Sequence, residues 1–207
     1  MTKLKKSSIL QLIAEQDIKL TNRFVHFLSQ FSTFRSLRIH SKILEVSCNG
    51  IAWLVSWIIF IWLTSSQHLH QVQVNMLVGL LLDILIIAVL KSLARRRRPV
   101  DSKDMLTIGP DKFSFPSGHA SRAFYVLFFF TKLITIPVIC WMPITVWALS
   151  VVISRIILRR HYILDVIAGA LIGICEALFL QIIWISDETA ISIVGFLSED
   201  KPFSEVN

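Results

Sequence analysis

What this 207-residue sequence has little of narrows its class before any motif is considered. Charged residues make up 17% of the chain and hydrophobic residues 54%, and the mean hydropathy is +0.66. Soluble globular domains carry about 25% charged residues, so the composition excludes a cytosolic soluble domain, and it excludes a disordered chain as well. Lipid is the solvent that suits most of this chain. Only three cysteines occur, Cys48, Cys140 and Cys175, each in or beside an apolar stretch and without Cys-x-x-Cys spacing. Neither a disulfide framework nor a zinc site is implied. The first forty residues contain no compact apolar run of the signal-peptide kind, so the first spanning helix is expected to act as its own insertion signal. Internal repeats and low-complexity tracts are also missing.

What is present is a net charge of +7, with basic residues gathered at the ends of apolar segments. That distribution fits membrane orientation and contact with anionic headgroups or phosphates, not nucleic acid. A crossing needs about 20 apolar residues, so the expected fold is an all-α polytopic bundle of five or six transmembrane helices. Residues 1–42 form a basic tail with Glu15 and Asp17 as its only acids. Within it Leu20, Phe24, Phe27, Leu28 and Phe31 recur at helical spacing, as in an amphipathic helix lying among headgroups or a short packing helix in a solvated tail. Residues 43–185 form the membrane domain, with apolar segments at 43–64, 72–93, 118–136, 143–158 and 162–185. A short polar turn is expected at 67–71, and a polar, strongly basic stretch covers 94–117. Residues 186–207 read as a mildly acidic, poorly ordered tail. Asp83 interrupts the second segment, and a carboxylate there is expected to face inward and pair with a polar group on another helix.

Three clusters break the apolar pattern with residues suited to phosphate chemistry. The first runs from Lys91 through Arg95, Arg96, Arg97 and Arg98 to Pro99. If the helix continues through Arg98, Lys91 and Arg98 share one face and offer an ammonium and a guanidinium fork to phosphoryl oxygens. Four arginines after an apolar helix also serve as a plain topology signal. The second is Phe115-Pro116-Ser117-Gly118-His119, where a tight turn feeds a helix whose first N–H groups can face an anion; an ordinary N-cap is the alternative. The third is Ser154-Arg155 followed by His161 and Asp165. At this spacing the carboxylate can hold one imidazole nitrogen protonated and leave the other as a nucleophile, against the alternative of a surface histidine near a helix-start acid. Because the intervening segments form hairpins, all three clusters are expected on one membrane face.

Together these residues resemble the type 2 phosphatidic acid phosphatase superfamily. Its signature of Lys-x6-Arg-Pro, Pro-Ser-Gly-His and Ser-Arg-x5-His-x3-Asp is matched at all eleven positions: Lys91, Arg98, Pro99, Pro116, Ser117, Gly118, His119, Ser154, Arg155, His161 and Asp165. The resemblance covers roughly residues 43–185. The wider context, with Asp104-Met105 and Phe113 to His119, looks most like the polyisoprenoid diphosphate phosphatase (presqualene diphosphate phosphatase) branch. It implies that His161 attacks phosphorus to form a phosphohistidine, that Asp165 orients it, and that His119 protonates the leaving oxygen and later activates water. Lys91, Arg98 and Arg155, with Ser117 and the Gly118 N–H, would hold the phosphoryl oxygens, and Ser154 would complete the motif through a hydrogen bond. No metal and no cofactor is called for. The implied substrates are presqualene, farnesyl or geranylgeranyl diphosphate, then phosphatidic acid and sphingoid phosphates; a catalytically inactive membrane scaffold of the same fold is the competing class. The expected partners are such a lipid and the bilayer, in the endoplasmic reticulum or nuclear envelope. The charge bias places the site in the cytosol, or in the lumen if residues 20–38 supply a sixth span.

Overall fold

Two glycines one helical turn apart determine how the centre of the bundle packs. The computed structural model describes residues 9–64, 66–100 and 112–197, so Asp104 and Met105 lie outside the described residues. Gly169 and Gly173 lie on helix α7 (Ile163–Ile182). A Cβ at the first would run into Ser117 O, and at the second into Ser121 O. Small residues at this spacing let two helix backbones touch, and the partner is α5 (Gly118–Phe128), which buries eight of its eleven residues. Helix α5 runs on through a π turn, Phe129–Leu133.

Around this pair stand α4 (Gln67–Ala94), α6 (Trp141–Ile157) and the bent pair α2 (Phe34–Ser47) and α3 (Gly50–Leu63). Gly79 of α4 makes room for the Tyr125 ring, and Met76, Leu80, Tyr125, Val126, Phe129, Ala177 and Leu180 form the largest core cluster. At mid-bundle the expected inward pairing of Asp83 is present: its Oδ2 accepts from Arg122 Nη2 at 2.7 Å, with the two side chains 0% and 7% exposed. Arg122 also donates to Cys48 O at 3.0 Å, at the break between α2 and α3.

The segment boundaries differ from the sequence-based expectation in four places. The 43–64 segment is not one helix. It breaks after Ser47, where Asn49 caps α3 by accepting from Ile51 N and Ala52 N, and α2 meets α3 at 50°. The supposed turn at 67–71 is helical, since α4 starts at Gln67. Among the described residues, three helical stretches are long and apolar enough to cross a membrane, and four if the bent pair counts as one. Helix α5, 11 residues long and extended by a five-residue π turn, is shorter than these and carries the buried Arg122. A sixth span over 20–38 is broken between α1 (Ile9–Ser29) and α2. Finally, the tail forms helix α8 (Asp187–Leu197), with Asp187 and Glu188 in its first turn. Asn75 of α4 bonds both the N–H and the carbonyl of Ile185 just before it; residues 198–207 lie outside the described residues.

Candidate active site

The site is assembled where α4 ends and α5 and α7 begin. Helix α4 stops at Ala94 because Arg95 adopts a left-handed conformation, φ 48°. The expectation that the helix would run through Arg98 is therefore corrected: Arg98 lies past the helix end and does not share a helical face with Lys91. Lys91 is buried in the last turn of α4, and Arg98 is half-buried in the extended segment that follows. That segment pairs Arg97 with Phe113 in a single antiparallel bridge, while Ser114 donates its N–H to Arg96 O at 2.8 Å.

Ser114 then orients the imidazole. His161 Nδ1 lies 2.7 Å from Ser114 O; a carbonyl only accepts, so Nδ1 carries the proton and Nε2 presents a lone pair. Asp165 stands beside the imidazole without a direct hydrogen bond to it. Its Oδ2 is 3.8 Å from His161 Nδ1, beyond hydrogen-bond reach, and accepts instead from Tyr162 N at 2.8 Å. Its Oδ1 receives Arg96 Nη1 at 2.6 Å, and its backbone carbonyl accepts from Ser117 N at 3.0 Å. Burial pushes the His161 imidazole down to about 4; Asp165 opposes that shift, and the charges of Arg155 and Lys91 add to it. His161 is thus neutral across the physiological range.

Ser117 is the N-cap of α5, its hydroxyl accepting from Ala120 N at 3.4 Å. The capping and anion-site readings of this turn are compatible, and Gly118 and His119 follow directly. His119 Nε2 lies 3.0 Å from Glu45 O on α2, so Nε2 is the protonated nitrogen in this state. Arg155 is 2% exposed, and its Nη1 lies 2.9 Å from Glu45 Oε1. Ser154 bonds within its own helix, donating to Val151 O at 2.6 Å, and supports α6 from there. The loop after α6 turns through Arg159 at φ 54°, and Arg155 O accepts from both Arg160 N and His161 N. One backbone carbonyl therefore places the nucleophile candidate beside the arginine.

Sequence reasoning missed Ser114, Glu45, Arg96 and Asp17. Asp17 of α1 takes Arg96 Nη2 on Oδ2 at 2.7 Å and Leu164 N on Oδ1 at 3.1 Å. Its signal was an acid four residues before Thr21, a spacing that sets both on one face of a helix. Among the described residues no cluster of three or more histidine, cysteine, aspartate or glutamate side chains stands ready for a metal ion.

Comparison with known proteins identifies the family. Residues 73–188 match the PAP2 superfamily. The chain is 35% identical over 141 residues to a probable lipid phosphate phosphatase beta of Arabidopsis thaliana, a match covering 55% of this chain and 66% of that relative, just under two thirds of its length. A PAP2-type phosphatidylglycerolphosphate phosphatase of Bacillus subtilis has the same fold, with a TM-score of 0.61 at 22% identity over 93% of this chain and 89% of that one. LpxE of Aquifex aeolicus superposes with a TM-score of 0.55 at 18% identity, over 86% of this chain and 98% of its own. With more than half of its length matching the family, this chain belongs to the PAP2 superfamily.

Proposed function

We propose that the protein is a lipid phosphate phosphatase that hydrolyses isoprenoid diphosphates and monophosphates through a phosphohistidine, without a metal ion. The observation that carries the reading is the state of His161: buried, neutral, with Nδ1 pinned to Ser114 O and Nε2 left to attack. Nε2 bonds to phosphorus as the bond to the leaving oxygen breaks. The negative charge of the bound substrate favours the His119 imidazolium, which donates its second proton to that oxygen and regains one from the water that hydrolyses the phosphohistidine and returns His161 to its starting form. Since Glu45 O holds His119 Nε2, Nδ1 is the atom that exchanges this proton. Lys91, Arg98 and Arg155 neutralise the phosphoryl oxygens, and Ser117 and the Gly118 N–H complete the cradle at the α5 N-terminus.

An apolar bundle whose site opens at one helix-end layer suits a substrate whose chain stays in the bilayer, and the Arabidopsis relative's name supports a lipid phosphate as the class. The Arg95 to Pro99 and Phe113 to His119 context favours the isoprenoid branch, with phosphatidic acid and sphingoid phosphates as the second choice. The basic residues preceding the first apolar segment favour a cytosolic site in an endoplasmic reticulum or nuclear envelope membrane. Phosphate release from farnesyl diphosphate and from phosphatidic acid, in detergent with EDTA, compares wild type with His161→Ala. Faster release from the diphosphate, abolished in the variant, is the expected result; equal rates in the two proteins would sink the nucleophile assignment.

A further inference from the structure

We infer that Arg96 and Asp17 are positioning residues, through which the N-terminal helix α1 holds the His161–Asp165 turn in its reactive arrangement. The inference rests on the hydrolysis proposed above. Arg96 bridges two carboxylates from separate elements, at 2.7 Å to Asp17 Oδ2 and 2.6 Å to Asp165 Oδ1, and these carboxylate side chains are 1% and 0% exposed. Its guanidinium also lies 4.2 Å over the Tyr162 ring. With both terminal nitrogens on carboxylates, Arg96 is not a phosphate ligand, unlike the role given to Arg98 and Arg155.

The network also accounts for the start of α7. The first N–H groups of a helix have no partner within it, and here three successive ones are capped from outside their own helical ladder. Tyr162 N donates to Asp165 Oδ2, Ile163 N to Thr21 Oγ1 at 3.1 Å, and Leu164 N to Asp17 Oδ1. Two of these three acceptors belong to α1. His161 is the residue before this turn, so the docking of α1 determines where the imidazole sits. Arg96 braces it from the other side too, because Arg96 O accepts from Ser114 N and Ser114 O accepts from His161 Nδ1. Hydrogen bonds run from His161 through Ser114 to Arg96 and on to Asp165, and the backbone of the 161–165 turn closes the loop. In-line attack tolerates little misplacement of the nucleophile, so loosening this ring should slow chemistry and leave substrate binding nearly intact.

The test compares Asp17→Asn, Arg96→Gln, Arg96→Lys and the double variant D17N/R96Q with wild type, in detergent, on farnesyl diphosphate. D17N keeps the acceptor for Leu164 N and removes only the charge, so it remains informative if Arg96→Gln does not fold. Expected is a fall in kcat of about 10- to 100-fold for each single variant to an uncharged residue, the scale on which a small misplacement of a reacting group acts, with KM within about threefold. Arg96→Lys should recover part of the loss, and the double variant should be no worse than Arg96→Gln, because the two residues act as one unit. A raised KM at unchanged kcat, or losses that multiply in the double variant, would overturn the inference. A second readout needs no turnover: NMR titration of His161, identified by its absence in His161→Ala. Freed of Arg96, Asp165 should raise the His161 midpoint above about 4, and an unchanged midpoint counts against the inference. Should wild type release no phosphate at all, the proposed function fails, while this titration still decides the role of Arg96 and Asp17.

Discussion

If Arg155 binds the phosphoryl group as proposed, Glu45 competes with that group for the guanidinium. Its carboxylate lies 2.9 Å from Arg155 Nη1 and 3.7 Å from Arg160 Nε, and the side chains of Arg155 and Glu45 are 2% and 26% exposed. An anion that binds Arg155 must displace this carboxylate first. The perturbation is Glu45→Gln, which keeps the size of the side chain and retains the backbone carbonyl that holds His119. An exposed ion pair is worth about 0–1 kcal/mol and a hydrogen bond to a charged group about 1.5–3 kcal/mol. With one partner buried and the other partly exposed, the contact falls between, at about 1–2 kcal/mol. At about 1.4 kcal/mol per decade, inorganic phosphate or vanadate should bind the variant about 5- to 30-fold more tightly.

Two measurements check this: competitive inhibition of turnover by phosphate or vanadate, and calorimetric titration of phosphate into the protein in detergent. Glu45→Ala should show the same direction, since the effect comes from the charge that is lost and not from the amide that replaces it. Unchanged or weaker anion binding in both variants, with melting behaviour like wild type, would refute the reasoning. In that case the Glu45 carboxylate would not compete for the anion site, or Arg155 would not face the anion.

Three further outcomes follow from the same geometry. His161 is held at about 4 in the folded protein against an ordinary 6.5, so on acidification the unfolded chain takes up this proton first; stability is full above pH 6.5 and falls toward pH 4 by about 3 kcal/mol. Denaturant titrations across that window should show a shallower acid slope for His161→Asn, and an identical slope would contradict the buried neutral imidazole. Removing one member of the Asp83–Arg122 pair, by Asp83→Leu or Arg122→Met, should destabilise by about 3–5 kcal/mol, whereas the double substitution should recover much of that; a double-mutant cycle with strictly additive losses would show that the pair is not coupled. Gly169→Ala should lower stability by about 1–3 kcal/mol through overpacking against Ser117 O, and activity with it, because Ser117 N is tied to Asp165 O. Gly195→Ala, whose added methyl meets nothing within 4 Å, is the control, and equal thermal shifts in the two would remove the close-packing argument.

The residues proposed to handle phosphate stood out in the sequence because the chemistry restricts their types, and hairpin topology returns every second helix end to one layer. The residues that hold them in place were hidden for identifiable reasons. Arg95, Arg96, Arg97 and Arg98 look alike in composition, yet Arg95 ends α4 at a positive φ and Arg96 turns in to two carboxylates. Hydropathy runs almost unbroken over residues 43–64, and the break shows only as Asn49-Gly50 and as the Cys48 carbonyl that Arg122 requires. Helix α8 had a start signal in Asp187 and Glu188, which the overall acidity of the tail obscured.

The absence of a direct His161–Asp165 hydrogen bond has the most general cause. A spacing of four residues brings two side chains together only when both belong to one helix, and His161 lies before α7, which begins at Ile163. Asp165 is therefore a first-turn residue, and its nearest unsatisfied donor is the backbone N–H of Tyr162, a demand that any helix start makes. The imidazole is left to find its acceptor elsewhere and takes a backbone carbonyl, Ser114 O. Every residue offers the same backbone carbonyl, so no side-chain pattern could announce it. What could announce it is the anchoring of Ser114 through Arg96, and that is why the arginine outside the phosphate-binding set is the one whose substitution tests the architecture of this site.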